Sequence, residues 1–358
     1  MKLLHAADLH LDAPFAALSA EKAALRRAEG RELLDRLADL AREEQVDLVL
    51  LAGDLFDGKR VYRETLNAIA RTLERIPAPV LIAPGNHDPR IPGSPYETMQ
   101  WPENVTIFEG EGLQTAAFPA LKCVIHGAAF TGPRKTADCL AGFTAPDDGQ
   151  IHIGLMHGDV GANSQYHPIA LQSIADSGLD YLALGHVHAG SGLQKTGHTF
   201  WAYPGCAQGR GFDELGEKGC LIVDVEPGAV STRFCPLANR KYVEVEVDIT
   251  TKEPLEAALA ALEEQASGDC VKLIFTGRRE ERPSLATLEK KLEGKAFSLR
   301  LRDRTQPGGA LWAKTEEDTL TGAFLRQMKE RVEQGDETAA LAVDFGLAAL
   351  ERGEDCRP

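Results

Sequence analysis

Five apolar runs constrain this chain more than any other feature. They are KLLHAAD, VDLVLLAGD, PVLIAPGNHD, IHIGLMHGD and LDYLALGHVH, and each breaks off at polar residues able to bind a cation. Stretches with helical spacing separate them, such as Leu25, Leu33, Leu34, Leu37 and Leu40 within residues 19–44, and residues 63–75. Near-continuous apolar strands alternating with amphipathic helices predict an α/β fold: layered central β-sheets flanked by helices, with strands buried on both faces.

In an open α/β sheet the loops at the carboxyl ends of the strands converge on one crevice, so distant residues can meet there. The candidates are Asp8 and His10 in ADLH, Asp54 in GDLFD, Asn86 and His87 in GNHD, His157 in MHGD, and His186 and His188 in GHVH. Two carboxylates, one amide carbonyl and several imidazoles suit a pair of divalent first-row metals. The set has no thiolate, which argues against a structural zinc knot. The glycines before Asp54, Asn86 and His186 allow turns that keep the backbone clear of the ions. Two ions about 3.5–4 Å apart polarise a phosphoryl group and generate hydroxide near neutral pH. The plain alternative is a set of unrelated histidines and turn-capping residues, and it requires five coincidences.

Residues 198–235 change character and read as strands and a hairpin, with Pro227-Gly228 at its turn. The pattern restarts near residue 240. KYVEVEVDI, CVKLIFTG and AFSLRLRD are strands separated by two helical stretches, a small βαβαβ unit. TQPGG then breaks the chain before two further helical stretches. The expected domains are 1–236, a small α/β domain at 241–306, and a helical segment at 312–358. Leu320, Phe324, Leu325, Met328 and Val332 form a stripe in that segment, which either packs onto its own domain or docks a partner.

Seven scattered cysteines without a CxxC read as reduced thiols. No signal-peptide core and no membrane-length apolar run are visible, so the expected location is cytoplasmic, with no membrane partner. The net charge of −15 argues against a protein that coats nucleic acid by bulk electrostatics. It does not exclude an enzyme whose bound metals supply positive charge locally.

D-x-H, GD-x-x-D, GNHD, HG and GH-x-H, in this order and each behind an apolar strand, resemble the calcineurin-like metallophosphoesterases. The resemblance implies that Asp8, His10 and His188 hold one ion, that Asn86, His157 and His186 hold the other, and that Asp54 bridges them. A metal-bound hydroxide then attacks phosphorus in line with the leaving oxygen. His87 touches the phosphate and helps that oxygen take a proton. Asp57 or Asp88 orients His87, with a turn-stabilising role as the alternative for each. His126, in VIHGAAF, mimics the HG element, but the spacing of His157 before GHVH matches the family order. His5, His126, His152, His167 and His198 lie outside the pattern and read as structural or exposed.

HAADLHLDAPF and YPGCAQGRGFDELGEKGCLIVDVE further resemble the SbcD-type DNA-repair exonucleases, and more closely their YhaO-like branch. The βαβαβ unit looks like that family's small capping domain, which guides DNA towards the metals. The terminal helices look like those that dock an SMC-like ATPase. The resemblance therefore implies a manganese-dependent DNA exonuclease or endonuclease subunit, with two divalent ions, an SbcC-type ATPase partner and room for a homodimer. Arg210, in the glycine-rich GCAQGRGFDE, reads as a substrate phosphate contact. Further basic candidates are Lys59, Arg60, Arg90, Arg278, Arg279, Arg282, Arg300, Arg302 and Arg304. The competing readings are a nucleotide or small-molecule phosphodiesterase and a non-catalytic assembly subunit.

Overall fold

Burial on both faces is visible strand by strand: Leu48–Leu51, Val80–Ile82 and Tyr181–Gly185 are buried at every position. The computed structural model describes residues 1–58, 60–161 and 164–352. Lys59, Cys356 and the last six residues of the expected C-terminal segment, 353–358, lie outside the described residues. The chain divides into two compact units, Met1–Lys241 and Tyr242–Pro358.

In the first unit one six-stranded sheet has the order Ala229–Pro236, Gly219–Glu226, Lys2–Ala6, Leu48–Leu51, Val80–Ile82, Val105–Ile107. Its last four strands are parallel, and the hairpin Gly219–Glu226 and Ala229–Pro236 adds antiparallel to Lys2–Ala6. The other six-stranded sheet has the order Gln194–Thr196, Thr199–Ala202, Tyr181–Gly185, Ile151–His157, Cys123–Gly127, Gln114–Phe118. It is parallel except at its two edges.

The period-two alternation of side chains sends neighbouring residues into different cores. Leu3, Leu48, Leu50 and Leu81 meet Ile125, Ile153, Leu155 and Tyr181 between the sheets. Leu4, Val49, Leu51 and Ile82 face the other way, against Leu33 and Leu37 of the helix Ala20–Glu43 and Ile69 and Leu73 of the helix Arg63–Glu74. Met156, Leu182 and Leu184 pack outward with Ile174 of the short helix Leu171–Asp176. The result is two sheets face to face with helices outside them. His5 ties the sheets together: Nδ1 lies 2.9 Å from Tyr181 Oη and Nε2 lies 3.1 Å from the Leu184 carbonyl. Complete burial pushes this imidazole down to about 3, so it is neutral at physiological pH.

The second unit contains a three-stranded parallel sheet of Tyr242–Asp248, Cys270–Thr276 and Ser298–Asp303. Helices Pro254–Glu263 and Leu285–Lys291 cover it through Ala258, Leu262 and Leu288. Two of its arginines serve the unit itself: Arg279 donates to the Ile249 and Lys252 carbonyls, and Arg282 pairs with Asp303. Helices Leu320–Glu333 and Glu337–Arg352 form a hairpin. Leu325 and Val332 are buried against Ala339, Ala340 and Val343, with Phe324 and Met328 packed beside them. The stripe at 320–332 is therefore largely internal to the hairpin. The next helix along the chain supplies the nearest apolar surface, and only Leu320, 72% exposed, escapes it. Among the described residues no helix is long and apolar enough to cross a membrane.

Gly185 sets how closely the sheets approach ahead of His186. A Cβ there would lie 1.8 Å from the Ala52 carbonyl oxygen and 3.0 Å from the Ala7 Cβ. Gly185→Ala is expected to cost about 1–3 kcal/mol, as overpacking does, and to lower the melting temperature. Gly112→Ala, where a Cβ meets nothing within 4 Å, should melt like wild type. Equal melting of both variants would show that the approach is not tight.

Candidate metal centre

Strand ends bring the candidates together. Asp8 follows Lys2–Ala6, Asp54 follows Leu48–Leu51, and Asn86 follows Val80–Ile82, all in one sheet. His157 closes Ile151–His157, and His186 and His188 follow Tyr181–Gly185, in the other sheet. Backbone bonds lock the first two turns: the Asp8 N–H donates to the Gly53 carbonyl at 3.0 Å, and the His10 N–H donates to the Asp54 carbonyl at 2.9 Å. Asp8, His10, Asp54 and His186 all adopt positive φ, at 51°, 42°, 50° and 105°. Such conformations are uncommon outside glycine and persist where the surroundings over-determine them. Gly53, at φ 84°, cannot carry a side chain, because a Cβ would lie 2.5 Å from His157 Nδ1.

Two clusters result. In the first, His10 Nε2 lies 3.1 Å from His188 Nε2 and 4.0 Å from Asp8 Oδ1, and His188 Nε2 lies 3.8 Å from Asp8 Oδ1. In the second, Asn86 Oδ1 lies 3.0 Å from His157 Nε2 and 3.1 Å from His186 Nδ1. Asp54 Oδ2 stands between the clusters, 3.7 Å from His10 Nε2 and 3.4 Å from His157 Nε2. Asp8, His10, Asp54 and His157 are buried.

The protonation logic of the second cluster tests whether a cation fits. His157 Nδ1 is 2.9 Å from the Ala52 carbonyl, which only accepts, so Nδ1 carries the hydrogen. The lone pair of Nε2 then faces the Asn86 carbonyl oxygen and the Asp54 carboxylate, which are acceptors too. Either a second proton on this ring or a cation among these groups resolves the conflict, and the donor set suits a divalent metal that would take the proton's place. The site's own charges show the same demand. Burial works against ionisation of Asp54, yet His157, His10 and His87 hold it well below the usual carboxylate range. Burial alone lowers His157, but Asp54 above all, with Asp8, lifts it to about 9.

His87 is exposed at this centre. Its backbone N–H donates to Asp54 Oδ1 at 2.9 Å, and its ring stands edge-on to His10 with centroids 4.9 Å apart. Asp57 Oδ1 lies 3.0 Å from His10 Nδ1 and 2.9 Å from Arg210 Nη1. Single ligand atoms of His10, Asp57 and His87 lie within 4.8 Å of one another. Asp88 faces away from His87: it accepts from the Gly85 and Phe56 N–H groups and from Tyr96 Oη at 2.6 Å. Burial and the charge of Asp54 raise it to about 7. The Arg210 guanidinium is gripped by Asp57 and Glu214. Arg90 pairs with Glu97 and Glu109.

The structure adds residues that the sequence reading passed over. Glu214 Oε1 lies 2.7 Å from His188 Nδ1. Asp159 Oδ2 lies 3.4 Å from His186 Nε2. The exposed Tyr166 ring lies 5.2 Å from that of His186. Asp159 lies two residues after His157, but Glu214 is 26 residues from the histidine it contacts, and no local sequence signal marks either as a partner of His186 or His188. His126 belongs elsewhere: its Nε2 meets His152 Nδ1 at 2.9 Å, and His152 Nε2 meets Asp148 at 3.0 Å. His167 backs the site, with Nδ1 2.8 Å from the His157 carbonyl.

The signature of the family described as Calcineurin-like phosphoesterase matches residues 1–190. The chain is 30% identical over 300 residues to the uncharacterized metallophosphoesterase YhaO of Bacillus subtilis, covering 78% of this chain and 73% of that protein. It is 28% identical over 272 residues to the DNA double-strand break repair protein Mre11 of Aeropyrum pernix, covering 69% and 64% of the two chains. The SbcD component of the nuclease SbcCD of Staphylococcus epidermidis is 23% identical over 289 residues, covering 68% and 72%.

If the clusters hold cations, divalent ions must stabilise the fold. Adding Mn²⁺ to the chelated protein at about 100 times its dissociation constant should contribute about 2.7 kcal/mol per site, read as a rise in melting temperature. Asp54→Asn should remove most of that rise. An unchanged rise in the variant would place the ions away from Asp54.

Proposed function

This chain belongs to the calcineurin-like phosphoesterase family and is a metal-dependent phosphoesterase hydrolase, and from that premise we propose that it is a phosphodiesterase acting on DNA. The observation that carries the reading is the placement of Asp54 between two clusters of imidazole and oxygen donors. Asp8, His10 and His188 would hold one divalent ion, Asn86, His157 and His186 the other, and Asp54 both, with manganese as the favoured metal. The chemistry supplied there by two divalent ions is Lewis acidity toward the phosphoryl oxygens and an activated nucleophile.

The remaining work falls to the chain. His87 is exposed beside the clusters, and its main chain is fixed by the bond to Asp54. Its ring contacts the phosphate and delivers a proton to the leaving oxygen, a role suited to an imidazole. Asp57 approaches His10 Nδ1 to 3.0 Å and has His87 within 4.8 Å, which suits it to orient their rings once substrate is bound. Arg210 is engaged by Asp57 and Glu214, which hold its guanidinium beside the centre, and with its part-exposed side chain it remains the proposed contact to a substrate phosphate.

DNA as substrate is supported by the similarity to Mre11 and to the SbcD component of SbcCD. The name of the SbcCD subunit implies a further subunit, and the proposal takes it to be an SbcC-type, SMC-like ATPase in a cytoplasmic complex that also holds a second copy of this chain. The relative that is 30% identical carries no assigned substrate in its name, so a nucleotide or small-molecule phosphodiesterase is the second reading.

With Mn²⁺, the purified protein should cleave linear DNA, faster with the ATPase, and should hydrolyse a bis-aryl phosphate diester. Asp54→Asn and His188→Ala should abolish both activities while the protein still melts cooperatively. Diester hydrolysis without any DNA cleavage would favour the second reading. Near wild-type activity in either variant would remove the metal assignment.

His87→Ala should retain both metals by elemental analysis while turnover falls about 10²–10⁴-fold, as for a lost general acid. Loss of one metal equivalent would make His87 a ligand instead.

A further inference from the structure

The loop and turn at residues 206–218 follow the strand Thr199–Ala202 and carry no metal-type residue in the ligand pattern, yet they surround His188. Glu214 is only 5% exposed. Its Oε1 lies 2.7 Å from His188 Nδ1 and accepts from Arg210 Nη2 at 3.0 Å, while its Oε2 accepts from the Arg210 backbone N–H at 2.7 Å. Lys218 Nζ donates to the His188 carbonyl at 3.3 Å, so this residue is held at both its ring and its main chain. The loop is itself anchored. Arg26, with no exposed surface, donates to the Gly209 carbonyl at 2.8 Å and is balanced by Glu29 at 2.6 Å. Gln208 Nε2 donates to the Arg26 carbonyl at 3.2 Å.

We propose that Glu214, braced by Arg210, is the positioning residue that fixes the tautomer and orientation of His188, and so governs one of the two metal positions selectively. This rests on the metal assignment proposed above. An ionised carboxylate only accepts, so a ring nitrogen 2.7 Å from it carries a hydrogen. With Nδ1 protonated, the lone pair lies on Nε2, the atom that faces His10 Nε2 and Asp8. Arg210 Nη2 also approaches Nδ1, at 3.0 Å. It cannot donate to a nitrogen that already bears a hydrogen, so its proton goes to Glu214 Oε1. Arg210 extends the brace to the neighbouring ligand through Asp57, which touches His10 Nδ1.

The selectivity follows from what the other cluster uses. His157 is oriented by the Ala52 carbonyl, and His186 is flanked by Asp159. Neither group belongs to the 206–218 segment. Removing an orienting partner of a ligand histidine typically costs about 10–100-fold in metal affinity. Here that loss should fall on one ion and spare the other.

The test is Mn²⁺ titration calorimetry and elemental analysis of the full chain, with long-range ¹H–¹⁵N spectra of the histidine rings in the metal-free protein. Wild type should bind two ions and show His188 with its hydrogen on Nδ1. Glu214→Ala should keep one affinity, weaken the other about 10–100-fold, and move the His188 hydrogen toward Nε2. Glu214→Gln still offers an acceptor oxygen, so it should keep the Nδ1 hydrogen and recover most of the affinity. Two unchanged affinities in Glu214→Ala overturn this inference alone. So does a wild-type His188 protonated on Nε2, which needs no variant to fold. A wild type that binds no ion overturns the metal assignment and this inference with it.

Discussion

The first unit is organised around an excess of acceptors. Asp8 and Asp54 are buried together at the meeting of two sheets, and the imidazoles aimed at them present lone pairs wherever their far nitrogens are already committed to acceptors. Burying such a set in water-poor surroundings is costly unless a cation completes it. Much that is unusual nearby serves this set. The left-handed turns at Asp8, His10 and Asp54 accompany side chains that are buried in the site, and the contact at Gly185 brings the second sheet close enough for its histidines to reach.

The site divides its donors between the sheets. One sheet supplies Asp8, His10, Asp54 and Asn86, and the other supplies His157, His186 and His188. No donor cluster is complete on a single sheet, so the inter-sheet packing of Leu3, Leu50, Ile153 and Tyr181 is also a condition for the chemistry. Packing between the sheets therefore bears on function as well as on stability.

The layered arrangement and the convergence of strand ends were legible because buried strands leave continuous apolar runs and because polar residues at their ends have few other uses. The strand-end histidines could be read for the same reason. Glu214 and Asp159 escaped, since an acid that orients a histidine looks in sequence like any surface acid. The carboxylate partners of Arg210 were hidden for a related reason. A basic residue in a glycine loop suggests phosphate, and only the positions of Asp57 and Glu214 show where its guanidinium is engaged. The stripe from Phe324 to Val332 had two readings of equal weight. Periodicity reports which face is apolar and not what covers it, and the covering helix begins only at Glu337.

The pairing of Lys2–Ala6 with Gly219–Glu226 has a consequence for how the protein is made. The Met1 amino group meets the Val225 carbonyl at 2.8 Å, across a separation of 224 residues. A chain emerging from the ribosome at about 5–20 residues per second has its first strand for roughly ten to forty seconds before that neighbour exists. Through this interval an apolar strand edge stands open, the kind of edge that templates wrong pairings. The late hairpin also follows directly on Glu214 and Lys218, so the edge closes only after the groups around His188 have been synthesised. The birth order of the chain thus makes the finished centre one of the last things the domain acquires.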